Sequence, residues 1–327
     1  MHTNAARLRR RLLATAAAVA ATALCGGALA QAAWPNKPVK IMVGFPGGST
    51  PDLAARALAD VLAKSLGQPV VVENRPGASG NIAADQVSKA SDDHTLGVVI
   101  NGNLTSARLL NPSLPYDPAK DFSFVSLLAT APLVLVAPPD LPAGAEFFNA
   151  ARNSGGKWSY GSVGIGSVGH LGMEYVKSQA GNFEAVHVPY SGNPAVITAM
   201  IGGQIQMALM PPGIALPQVK AGKIRAIGLT GPRSPMAPDM PSLAELGIKM
   251  DALEVWVALV GPASLSRAAQ ERLAREVPAA VAGESRERLQ AGGWQGVGSS
   301  ADGLRQRVAR ETEILGGIIK SRGIKIE

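Results

Sequence analysis

Short apolar runs alternate with segments of helical periodicity along most of the chain. Residues 39–45 form an apolar run typical of a strand, and the apolar positions between residues 53 and 62 recur at the spacing of one helix face. Further apolar runs at 70–72 and 96–100 enclose a helical pattern at 81–89. Strand–helix–strand order with buried strands predicts a mostly parallel sheet flanked by helices.

A second series of strands and helices follows a proline-punctuated segment at 112–142 and continues to residue 229. A helix-rich tail at 267–320 completes the chain, and no linker is long. We therefore predict an α/β protein of two lobes, with the tail folded back on the first lobe and the chain crossing near 130–136 and 254–260. The predicted division is residues 34–130 plus 257–327 for lobe 1 and 131–256 for lobe 2.

The first thirty residues have the pattern of an export signal rather than of a folded segment. Four arginines between residues 7 and 11 precede an apolar run at 12–24, and Ala28-Leu29-Ala30 matches a cleavage site. We expect a signal peptide over residues 1–30, cleaved near Ala30, and a periplasmic location. A membrane anchor is the alternative, a lipoprotein is disfavoured because Leu24 precedes Cys25, and either the general or the twin-arginine route remains open.

Removal of this segment changes the charge and the thiol content. Its four arginines account for four of the seven net positive charges, which leaves +3 on the mature chain. Such a small excess does not indicate a nucleic-acid partner. The single cysteine, Cys25, also leaves, so disulfides, cysteine nucleophiles and cysteine metal sites are excluded from the mature chain.

Glycine-rich turns between strands and helices carry the candidate chemistry. Residues 47–52 read Gly-Gly-Ser-Thr-Pro-Asp, in which Thr50 suits a helix cap and Pro51 a first helical position. A helix start presents unpaired N–H groups and partial positive charge, which favours binding of an anion. Similar turns at 77–80, 101–106 and 164–169 would place four such tips around one cleft at the carboxyl ends of the strands.

Other functions fit the sequence less well. Gly164, Gly166 and Gly169 match a dinucleotide fingerprint, but no acidic residue ends the following strand. No serine lies in a G-x-S-x-G motif, and no histidine spacing suggests a metal site. His170 could contact a solute or bond locally, and an acid such as Asp52 in a first helical turn is first of all a partner of the helix dipole.

Several motifs spread over the mature chain resemble the Bug receptors, the periplasmic solute-binding proteins of tripartite tricarboxylate transporters. The motifs are Trp34-Pro35, Phe45-Pro46 with the following glycine pair, Val72-Glu73-Asn74-Arg75-Pro76-Gly77-Ala78, Lys120-Asp121-Phe122, Gly166-Ser167 with His170-Leu171, His187-Val188-Pro189-Tyr190, Gly202-Gly203-Gln204, Ala221-Gly222-Lys223 and Gly261-Pro262-Ala263. The resemblance implies a two-lobed periplasmic-binding-protein fold of type II that closes on a small carboxylate, and a two-component membrane permease as partner.

The chain departs from the family pattern at two positions. Gly47 follows Pro46 directly where the family has an intervening residue. Gln206 replaces a usual aspartate, which argues against an amino-acid solute.

We therefore expect a monomeric receptor, without cofactor, metal or enzymatic activity. A receptor that signals to a membrane sensor kinase and a periplasmic hydrolase are the alternatives. The predicted ligand-binding residues are Gly48, Ser49, Thr50, Asp52, Gly77, Ala78, Ser79, Asn103, Thr105, Gly166, Ser167, His170 and Tyr190.

Overall fold

The computed structural model describes residues 34–233, 237–250 and 252–325. The predicted signal peptide, its cleavage site and Cys25 lie outside these ranges. Among the described residues, none of the helices combines the length and the apolar character that a membrane crossing would need.

The described residues form eleven strands and eleven α-helices. The strands are β1 (Val39–Val43), β2 (Val70–Asn74), β3 (Thr95–Ile100), β4 (Phe122–Pro132), β5 (Val134–Ala137), β6 (Ser159–Ser162), β7 (Val186–Pro189), β8 (Met207–Met210), β9 (Arg225–Leu229), β10 (Glu254–Pro262) and β11 (Gln295–Gly296). The helices are α1 (Thr50–Leu66), α2 (Asn81–Ser88), α3 (Asn101–Leu104), α4 (Ser106–Leu110), α5 (Gly144–Asn153), α6 (Val168–Gln179), α7 (Asn193–Ile201), α8 (Pro212–Lys220), α9 (Arg267–Ala282), α10 (Ser285–Ala291) and α11 (Ala301–Arg322).

These strands form two sheets flanked by helices. The first sheet has the order β11-β4-β10-β3-β1-β2, and the second has the order β7-β6-β8-β5-β9. Strand β1 pairs in parallel with β2 and β3, and β6 pairs in parallel with β7 and β8. The predicted α/β architecture with two sheets is therefore present.

Both sheets are mixed, whereas the sequence pattern predicts mostly parallel sheets. Strand β10 runs antiparallel to β3 and β4, and β5 runs antiparallel to β8 and β9. These strands adjoin the points where the chain passes from one sheet to the other. A strand that arrives from the other sheet enters without a crossover helix and is free to run in the opposite direction.

The chain changes sheets twice, and the two passages are joined by hydrogen bonds. The first passage lies at Leu133, between β4 and β5, and the second lies between β9 and β10, ahead of the predicted segment at 254–260. The N–H of Leu133 donates to Thr230 Oγ1 at 2.9 Å, and that hydroxyl donates to the carbonyl of Leu253 at 2.6 Å. The exact division of the chain into lobes stays a prediction.

The last helices cover the first sheet, as the sequence predicts, but α11 also extends to the second lobe. Leu315 and Ile318 of α11 pack against Leu171 of α6. The Arg322 guanidinium lies 3.4 Å from the carboxylate of Glu174, also on α6. Helix α11 therefore contacts both lobes.

Candidate ligand-binding site

The turn before α1 is fixed by a carboxylate one helical turn further on. Gly48 has a φ of 77°, a region that favours glycine, and its N–H donates to Asp52 Oδ2 at 2.9 Å. Ser49 caps the helix from an extended conformation, one residue earlier than the predicted cap at Thr50. The local contacts thus hold the start of α1 in place.

The Asp52 carboxylate is used entirely within its own lobe. Besides Gly48, it accepts hydrogen bonds from Arg56 Nε at 3.0 Å and from Asn74 Nδ2 at 2.9 Å. Burial opposes its ionisation, but these hydrogen bonds outweigh burial and lower the pKa of Asp52. Asp52 is therefore an ionised support of the turn, paired with Arg56.

The turn before α6 repeats this design with a histidine in place of the aspartate. Gly166 has a φ of 79°, and its N–H donates to His170 Nδ1 at 3.1 Å. The Ser167 hydroxyl caps α6 by accepting from the N–H of His170. Burial lowers the pKa of His170 to about 4, so the imidazole is neutral at pH 7.

A second histidine lies behind His170. The His187 ring stacks on His170 with centroids 4.0 Å apart, and its Nε2 lies 2.7 Å from Ser162 Oγ. Burial, and then the neighbouring His170, lower the pKa of His187 to about 3. These rings form a neutral support beneath the turn that starts α6.

The other two predicted turns are braced against each other. Asn103 accepts from the N–H of Ile100 and donates through Nδ2 to the carbonyl of Ser79 at 3.0 Å and to Asn81 Oδ1 at 2.8 Å. The Thr105 hydroxyl donates to the carbonyl of Asn101 at 2.7 Å. These side chains shape the turns.

The two lobes meet directly at these turns. Asn193, the first residue of α7, donates through Nδ2 to the Thr50 hydroxyl at 2.9 Å. The Ser106 hydroxyl donates to the carbonyl of Gly166 at 2.6 Å. The described conformation is therefore closed.

An inner cavity of about 40 Å³ lies between the lobes, at the starts of three helices. Thr50 of α1, Val168 of α6 and Asn193 of α7 line it, and each is the first residue of its helix. Among the described residues, no charged side chain lines this cavity, and its remaining wall is mostly apolar. The partial positive charge of the helix starts is therefore the source of positive potential at this cavity.

An outer chamber of about 460 Å³ adjoins the inner cavity, because Phe45 and Val163 line both. The turn at 77–80 forms one side of the chamber, and Pro189, Tyr190 and Ser191 contribute to the other. Within the part of the chain that the structure describes, its lining includes no charged side chain either.

The predicted site residues divide into lining and supporting groups. Ser49, Thr50 and Ser167 line the inner cavity, Gly77, Ala78, Ser79 and Tyr190 line the outer chamber, and Asn103, Gly166 and Ser167 line a small gap between the lobes. Gly48, Asp52, Thr105 and His170 line none of these spaces. Their hydrogen bonds are internal to each lobe and hold the turns in place.

The predicted set lacks most of the residues that line the inner cavity, among them Phe45, Asn193 and Trp294. Asn193 carried a usable signal, because Gly192-Asn193-Pro194 follows a strand and marks a helix start. The sequence gives no comparable signal for Trp294, because this residue is remote in sequence from most of the site. Among the described residues, no group of three potential metal ligands is found.

Comparison with known proteins places the chain in a family. The family model described as "Tripartite tricarboxylate transporter family receptor" matches residues 54–324. A UPF0065 protein of Pseudomonas sp. strain P51 is 34% identical over 311 residues, which cover 93% of this chain and 92% of that protein. Protein BugT of Bordetella pertussis is 30% identical over 97% of this chain and 99% of its own length.

The fold agrees with a solved relative. A structure of an R. palustris protein with adipate superposes with a TM-score of 0.84 at 29% identity, covering 89% of this chain and 99% of that one. The resemblance to the Bug receptors is thereby confirmed. The chain belongs to the tripartite tricarboxylate transporter receptor family.

Proposed function

We propose that the chain is a periplasmic receptor that captures a small organic or aromatic carboxylate between its lobes and delivers it to a membrane permease. One observation carries this proposal: three helix starts, drawn from both lobes, converge on a single uncharged cavity. Such a site attracts an anion without an arginine or lysine. The R. palustris relative was solved with adipate, which is a carboxylate of this kind.

The strength of the interaction is adequate for a receptor. A hydrogen bond to a charged group contributes about 1.5–3 kcal/mol, and a helix terminus adds about 0.3–1 kcal/mol. Four to six such bonds supply the roughly 8 kcal/mol of a micromolar complex after the costs of association. The N–H groups at the starts of α1, α6 and α7 are the proposed donors.

Closure of the lobes would couple binding to recognition by the permease. Donors from α1 and from α6 and α7 lie on opposite sides of the cavity, so a bound carboxylate bridges the lobes. It adds to the two direct bonds, Asn193 to Thr50 and Ser106 to Gly166, and so favours the closed form. We propose a monomer for this role, exported by the signal peptide over residues 1–30.

The geometry does not favour the hydrolase alternative. Ser162 and His187 lie within 2.7 Å of each other, but Ser162 is buried and lines neither the cavity nor the chamber. Its hydroxyl also lies 3.0 Å from the carbonyl of Gly164 and accepts from the N–H of that residue. The pair thus supports the turn.

The direct test is a thermal-shift and calorimetry screen of the mature chain with succinate, malate, adipate and benzoate. A solute that binds only the folded state should stabilise it by about 2.7 kcal/mol at a hundred times its dissociation constant. The matched controls are the neutral amides of the same acids, together with ATP, and we expect no shift with these. Failure of every carboxylate, or release of a reaction product, would contradict the proposal.

A further inference from the structure

The indole of Trp294 forms one wall of the inner cavity. Trp294 lies between α10 and β11, is 1% exposed and packs in the main hydrophobic core. It also lines a surface groove of about 630 Å³, beside Pro132 and Val281. Trp294 therefore lies between the cavity and this groove.

The indole N–H of Trp294 is buried without a hydrogen-bond partner among the described residues. The other buried indoles differ: Trp34 donates to the carbonyl of Asp93 at 2.8 Å, and Trp256 donates to the Glu311 carboxylate. Buried donors are almost always paired in folded proteins. An unpaired donor in a residue that lines a cavity is therefore a candidate to bind an acceptor atom of a solute.

The Trp294 side chain is held in this position by the surrounding backbone. Its own N–H donates to the carbonyl of Leu289 at 2.9 Å. The preceding Gly293 has a φ of 84° and lies against Gly213 of α8, so closely that a Cβ on Gly213 would clash with Gly292. The backbone that carries the indole is thus held in place between the two lobes.

A second unpaired group lines the same cavity. The hydroxyl of Ser49, at the cap of α1, has no hydrogen-bond partner within the described ranges and is also buried, with 1% of the residue exposed. Ser49 and Trp294 belong to segments far apart in sequence. Two unpaired polar groups in one uncharged cavity indicate a site that can bind acceptor atoms of a solute.

We infer that Trp294 is a specificity-determining residue for the solute. Its indole N–H donates to an oxygen of the bound carboxylate, and its ring limits how far the solute reaches. The cavity of about 40 Å³ has room for about three water-sized groups. It therefore admits an unhindered terminal carboxylate and the adjacent carbon, while the body of the solute occupies the outer chamber. This inference rests on the proposed function.

The test compares Trp294→Phe and Trp294→Ala with the wild type, using succinate, adipate and benzoate as probes. The Phe variant keeps an apolar ring and loses the donor, so we expect its affinity for the best probe to fall about tenfold or more. Its ligand-free melting temperature should fall only modestly, because the cavity left by the smaller ring is partly offset by removal of an unpaired buried donor. The Ala variant should bind more weakly still, since the wall toward the groove is lost. Trp158→Phe, whose indole lines neither space, is the matched control.

A second measurement needs no variant. The Trp294 indole N–H resonance of isotope-labelled wild-type protein should move downfield on addition of the best probe, while those of Trp34 and Trp256 stay in place. A Phe variant that binds within twofold of the wild type, or an indole resonance that does not move, overturns this inference alone. Absence of carboxylate binding by the wild type overturns the proposed function and this inference with it.

Discussion

The turns that start α1 and α6 lie on opposite lobes and share one plan. Each has a glycine with positive φ, Gly48 or Gly166, whose N–H donates to a side chain four residues later. Each has a serine cap, Ser49 or Ser167, in an extended conformation. The supports differ in charge, because Asp52 is ionised and His170 is neutral.

The difference shows how a cleft can hold an anion beside an acidic residue. Asp52 does not line the cavity, and its charge is paired with Arg56, so this charge is largely compensated within its own lobe. The caps differ as well: the Ser167 hydroxyl bonds to the N–H of His170, whereas the Ser49 hydroxyl is unpaired among the described residues. The supporting groups are satisfied internally, whereas Ser49 and Trp294, which have unpaired polar atoms among the described residues, line the cavity.

The largest expected effect comes from removing the charged support. Asp52→Ala removes the acceptor of the Gly48 N–H and one of the two acceptors of the Asn74 amide, so the free energy of unfolding should fall by about 2–4 kcal/mol. Asp60→Ala, on the same helix, breaks an exposed ion pair with Arg288 and should cost less than about 1 kcal/mol. Urea denaturation measures both, and equal losses would contradict the assigned role.

The neutral support should make stability depend on pH. Burial lowers the pKa of His170 to about 4 and of His187 to about 3, below the usual value of 6.5. At pH values between the lowered pKa values of the folded chain and the usual 6.5, the unfolded chain binds more protons than the folded chain. The free energy of unfolding therefore decreases as the pH falls from 7 toward 4. We expect a loss of about 1–3 kcal/mol over this range. In denaturation experiments, the stability of His187→Gln should depend less steeply on pH than that of the wild type. An unchanged pH dependence would contradict the assignment to these histidines.

The smallest effects should separate the two caps. Ser167→Ala removes a capping bond and should lower stability by about 1 kcal/mol. Ser49→Ala removes a hydroxyl that makes no hydrogen bond to the described residues, so stability should change by only about a few tenths of a kcal/mol while carboxylate binding weakens. Denaturation and calorimetry on both variants test this. The contrast fails if the stability losses are equal or if Ser49→Ala binds as the wild type does.

The local features of the site follow from sequence. The Gly-Gly-Ser-Thr-Pro-Asp turn encodes a helix start, and the observed cap, Ser49, is one residue from the predicted Thr50. The strand–helix alternation likewise predicts most elements. The direction of β5 and β10 escapes this reasoning, because an apolar run has the same pattern in parallel and antiparallel sheets.

The sequence by itself determined the alternation of strands and helices and the glycine-rich helix starts, because these depend on contacts between residues close together in the chain. Only the tertiary structure decided which starts face one another, and that Phe45, Asn193 and Trp294 line one cavity. Such neighbours are brought together by packing across the two passages between the sheets. An unpaired hydroxyl or indole is likewise invisible in sequence, because its pairing depends on what the fold places beside it.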